Sequence, residues 1–317
     1  MARIVGWTLF LTAAAMVAAA AIFAQELRDW WFLRSYEPSA EIAALADKAT
    51  FTDTGRNNFY MSDPQINDKA EFNQNCTTLE ESLVLGCYRG QRIFILQVER
   101  EELEGIMEVT AAHEMLHAAY DRLPESEREK IVDWLEADFA QVDDPVVEDL
   151  IERYEERGGQ TAREDELHSV MPTQVAELSD ELEQYYERYF DDRSQVIELY
   201  QSYEQTFQAT RDEIERLDVE ITALRNDIED YEARIDSKRQ DIRDIEARLE
   251  SLEADGDFQR YNELVPEQNQ AVQSYNQLIE QYRDIIARHN RKVDELNDAV
   301  LVRQDLVDSI DSTVEEL

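Results

Sequence analysis

The chain has 317 residues, with 72 acidic against 31 basic side chains and a formal net charge of -41. Such a surface repels nucleic acid and anionic lipid headgroups, which excludes a nucleic-acid partner. From the N-terminus, Met1-Ala2-Arg3-Ile4-Val5 leads into an uncharged run from Gly6 to Ala24. That length is near the roughly 20 residues a membrane-spanning helix needs and exceeds the core of a signal peptide. A cleavable signal fits less well, because Ile22 would occupy the third position before a cut after Ala24. Residues 1–35 are therefore expected to be a single-pass anchor and juxtamembrane segment, with Trp30 and Trp31 at the membrane surface. The remainder has no other apolar run long enough to span.

Cys76 and Cys87 are the only cysteines. An even pair after an export segment predicts a disulfide, across a hairpin from Cys76-Thr77-Thr78-Leu79 to Leu83-Val84-Leu85-Gly86-Cys87-Tyr88, and a body on the extracytoplasmic side of the cytoplasmic (inner) membrane. Next, Arg92-Ile93-Phe94-Ile95-Leu96-Gln97-Val98 alternates apolar with polar or mixed positions and has the β-branched content of a strand. Gly105 then precedes a helix-compatible run containing His113-Glu114-Met115-Leu116-His117, in a chain with only four histidines. On a helix the two His lie one turn apart on one face, so they can share a zinc ion while Glu114 reaches its water. Val109, Ala112, Leu116 and Ala119 form a core stripe beside that face. A zinc hydrolase needs a third protein ligand. Arg163-Glu164-Asp165-Glu166-Leu167-His168-Ser169 supplies candidates after a helical stretch broken at Gly158-Gly159.

With the strand and the His113–His117 motif helix, the chain resembles the zincin metallopeptidases, in which a strand that binds extended substrate precedes the active-site helix. The segment Val109 to Leu123 and the Glu166-Leu167-His168-Ser169 stretch also look like a little-characterised group of membrane-anchored bacterial zincin-like proteins. The resemblance covers roughly residues 90–170 and implies a Zn2+ metallopeptidase with Glu114 as general base and acid. It makes Glu166 the third ligand, as in the gluzincin branch, with His168 as the alternative found in three-histidine zincins.

From about Val196 the periodicity becomes heptad. Ile214, Ile221, Ile228, Ile235, Ile242 and Leu249 fall at one core position and Leu217, Leu224, Tyr231, Ile245 and Leu252 at the other, with Thr210 and Lys238 as interruptions. Asp255-Gly256-Asp257 breaks this helix and Pro266 marks a restart. A second seam runs from Val272 through Tyr275, Ile279, Tyr282, Ile286, His289 and Val300 to Val314 and Leu317. Folding at the Gly256–Pro266 turn would pair Leu252 with Val272, Ile235 with His289 and Phe207 with Leu317, leaving His289 as a packed core residue.

The expected fold is mainly α: an α+β zincin-like domain with a small sheet over residues 36–190, then a long antiparallel coiled-coil hairpin over 191–317. The expected function is a membrane-anchored, extracytoplasmic (periplasmic) zinc metallopeptidase acting on peptide or protein substrates of the cell envelope, with the hairpin as spacer or docking arm for a coiled-coil partner. Two alternatives have their own tests: a non-catalytic envelope adaptor with a structural or degenerate zinc site, and a zinc amidase acting on cell-wall peptide. Lysine occurs only at Lys48, Lys69, Lys130, Lys238 and Lys292. Acid-rich, lysine-poor surfaces resemble those of halophilic bacteria, which predicts a salt-loving source and stability that rises with salt.

Overall fold

The computed structural model describes residues 31–76 and 85–312. The expected membrane segment 6–24, the hairpin turn at Thr77 to Val84 and the seam's end at Val314 and Leu317 lie outside the described residues. Among those described, no helix is long and apolar enough to cross a membrane. The fold is mainly α with one small sheet. It divides into two compact units. The first holds the described residues up to Thr206 and those from Val307 onward; the second is Phe207–Leu306.

In the first unit, α1 (Ala40–Lys48) and α2 (Asp53–Met61) are followed by β1 (Gln65–Asn67) and α3 (Lys69–Asn75). Ser39, Thr52 and Asp68 cap these helices, each accepting from a first-turn N–H. Strands β2 (Gly86–Arg89) and β3 (Arg92–Leu96) form a hairpin whose turn residues Gly90 and Gln91 both have positive φ. β3 is the central strand, parallel to β1 and antiparallel to β2. Its two faces feed two cores. Ile93 and Ile95 join the main cluster, while Phe94 and Leu96 pack with Phe72 and the Cys76–Cys87 disulfide on the other side. The alternation expected of this strand is therefore not what the structure shows: Ile93, Phe94, Ile95 and Leu96 are all buried, because both faces are covered.

The motif helix α4 (Ile106–Asp121) runs through the middle of this unit, against α1, α2, β2, β3 and the long α6 (Pro145–Gln174). Ala111, Ala112, Ala118 and Ala119 are buried, and such small side chains let neighbours approach closely. Between α4 and α6 lies α5 (Glu125–Phe139), and α7 (Asp180–Tyr186) follows α6. The first turns of α8 (Arg193–Ala254) belong to this unit too: Val196 is part of the core, and Leu199, Tyr200 and Tyr203 pack against it. The C-terminal residues return to α3, where Lys69 donates to the Asp308 carbonyl and Asn73 to that of Ser312.

In the second unit α8 and α9 (Phe258–Ile310) pack antiparallel. The buried stripe of α8 follows the predicted seam through Leu217, Ile221, Leu224, Ile235, Ile245 and Leu249. The turn and the register differ from expectation. α8 ends in a Schellman motif with Gly256 at φ 75°: Asp257 N–H donates to Leu252 O and Gly256 N–H to Glu253 O. The Asp257 carboxylate then caps α9 through Arg260 N–H. Pro266 therefore lies inside α9. It is tolerated because Pro266 and Asn262, whose carbonyl it cannot serve, are both exposed to water. The shorter turn shifts the pairing. Leu249 packs with Leu264, Tyr282 donates to Glu232, and Lys292 meets Glu220, so His289 does not face Ile235. Val272 and Val300, expected in the seam, are 38% and 46% exposed.

Candidate metal centre

His113 and His117 project from one face of α4, as the four-residue spacing requires. Gly105 at φ 100° starts this helix in a conformation that favours glycine. Glu166 comes from α6, which is two helical segments joined at Gly159 (φ 71°, ψ -166°). This backbone region is essentially closed to other residues. The kink at the Gly158-Gly159 break lets the second segment run across α4. Arg163 fixes the start of that segment, forking onto the Glu136 carboxylate of α5 at 2.8 and 2.7 Å and lying over the Phe139 ring.

One donor atom from each of His113, His117 and Glu166 lies within 4.8 Å of the others. His113 Nε2 and His117 Nε2 are 3.0 Å apart, and the Glu166 carboxylate oxygens lie 3.5 and 3.6 Å from them. Glu166 is only 2% exposed. Two partly buried imidazoles and one buried carboxylate converge as a group that could hold a metal ion, and as a nitrogen and oxygen donor set these residues fit zinc. Asp165 Oδ1 lies 2.9 Å from His117 Nδ1, which leaves His117 Nε2 aimed at the cluster. Burial lowers the His117 pKa, but the charge and hydrogen bond of Asp165, with Glu166 and Glu114, push it up to about 10. His113 goes the other way: burial, then His117 and His168, hold it well below the usual histidine range.

Glu114 is buried on the same helix, beside β2. A Cβ at Gly86 would fall 2.6 Å from Glu114 Oε1 and from Thr110 Cγ2. Only glycine lets the strand lie this close to the carboxylate. The strand expected to bind extended substrate, Arg92 to Val98, is β3, and both its edges are occupied by β1 and β2. Among the described residues the sheet edge beside Glu114 is instead β2.

His168, the alternative third ligand, stands outside the cluster. Its Nε2 meets the Tyr185 hydroxyl at 2.8 Å, and the rings of Tyr120, Tyr185, Tyr186 and Tyr189 surround it. Burial, the largest influence, lowers its pKa to about 3. Cys76 and Cys87 form a disulfide. Sequence reasoning missed the roles of Asp165 and Gly86. Asp165 carried a signal, being a carboxylate next to an expected ligand; the closeness of Gly86 to Glu114 is a tertiary fact with none. No family model matches this chain, and no curated protein or solved structure matches it either.

Proposed function

We propose that the chain is a zinc-dependent peptidase, held at the membrane by residues 6–24 with its body on the extracytoplasmic side and acting on proteins of the cell envelope. The observation that carries this reading is the convergence of His113, His117 and the buried Glu166, with Glu114 on the same helix as the two histidines. The disulfide favours an oxidising compartment.

His113, His117 and Glu166 would hold zinc, which supplies a Lewis acid and water activation at neutral pH. Asp165 keeps His117 turned with Nε2 inward. The Glu114 carboxylate takes the proton of the attacking water and returns it to the leaving amine. An extended peptide would add to the edge of β2 that is unpaired among the described residues, the strand that lies against Glu114 at Gly86.

The test compares wild type with Glu114→Gln, in molar salt, on an unfolded protein mixture and on purified cell-wall fragments. Retained zinc with hydrolysis of protein reduced by about 10²–10⁴-fold supports the reading. Cleavage of cell-wall fragments alone would make the enzyme an amidase. A zinc-loaded wild type inert towards both would contradict the enzymatic reading.

A further inference from the structure

Pro172 lies inside α6, downstream of Glu166. Proline has no N–H, so the carbonyl four residues earlier, that of His168, loses its helical partner. Tyr186 fills that place, its hydroxyl donating to the His168 carbonyl oxygen at 2.9 Å. The adjacent Tyr185 hydroxyl meets the ring of the same residue at Nε2. Neighbouring tyrosines of α7 thus hold both the backbone and the side chain of His168, which is fully buried. His168 lies two positions beyond Glu166, on the opposite side of the helix, so a roll or slide of this segment shifts the Glu166 carboxylate relative to His113 and His117.

We propose that Tyr186 is a positioning residue for the metal carboxylate: by making the hydrogen bond that Pro172 removes, it fixes the helical segment that presents Glu166 to His113 and His117. The inference rests on the metal reading above.

Cobalt(II) binding to the full chain tests it, followed by titration and by the visible spectrum. Tyr186→Phe keeps the ring and removes the donor; cobalt affinity is expected to fall about tenfold or more, with an altered spectrum. Adding Pro172→Ala returns an N–H to the His168 carbonyl and should restore both. Wild-type affinity and spectrum in Tyr186→Phe, or a loss that Pro172→Ala does not relieve, would overturn the proposal. If Tyr186→Phe alone does not fold, the double variant decides: folding with cobalt bound supports the proposal, and failure to fold overturns it. A wild type that binds no cobalt overturns the metal reading itself and this proposal with it, and that result is read before any variant is made.

Discussion

At His117 the Asp165 carboxylate decides which ring nitrogen faces the cluster. Asp165→Asn keeps the shape but exchanges a charged acceptor for a neutral amide, and zinc affinity by competitive titration is expected to fall about tenfold or more. Gly86→Ala would drive a methyl group into Glu114 and Thr110; on the proposed reading, peptide hydrolysis should fall well beyond any change in zinc content. The histidines also set an acid limit on the metal-free fold. His168 stays neutral down to about pH 3, chiefly through burial. Below roughly pH 6.5 the unfolded chain takes up a proton that the folded His168 refuses, so stability falls as pH drops. His113 acts in the same direction. His117, raised to about 10, contributes stability that is complete below roughly pH 6.5 and lost as pH rises through 10. Denaturant titrations at pH 6.5 and 5 should show a smaller acid loss in His168→Gln than in wild type; an equal loss would contradict this account. His113 and His117 could be picked out in the sequence because a helix converts their spacing into a shared face, with Glu114 beside them in the motif; Glu166 was only what the family resemblance implied, with His168 left open beside it. The contacts of Gly86 and Tyr186 could not be picked out, since each depends on which element lies opposite.

Among the elements, α6 turns on Gly159. Gly159→Ala places a side chain in a backbone region that only glycine occupies readily, at about 1–3 kcal/mol. Thermal melting should show that loss, and zinc affinity should fall with it because the kink aims Glu166. The break was legible as Gly158-Gly159; that it joins two helical segments, rather than ending one, was not. The Cys76–Cys87 bridge, eleven residues apart in sequence, ties the end of α3 to β2. Replacing both cysteines by serine should cost about 3 kcal/mol in denaturant unfolding. β3 was legible as a strand, but its central place was not, because a short apolar run does not say how many neighbours it has. The heptads of α8 were legible over their length. The register differs from the expected one because Pro266 lies within α9 instead of starting it, and a proline at an exposed helix position does not have to be a start.

Over the whole molecule the net charge of -41 is a repulsion that the fold has to overcome. The Debye length shrinks to about 3 Å in molar salt, so the melting temperature should rise between dilute buffer and molar salt. A flat response would remove the expectation of a salt-loving source. The mainly α character and the hairpin could be read from periodicity, which needs no tertiary knowledge. What unites the first unit could not: the motif helix lies at its centre, with a strand pressed on Glu114 and a kinked helix bringing in the third donor. The most direct test of that arrangement is zinc content per chain, in molar salt, for wild type, His117→Ala and Glu166→Ala. One zinc in the wild type, lost in both variants, is the predicted result. A folded wild type without zinc, or a Glu166→Ala variant that keeps it, would contradict the three-residue centre.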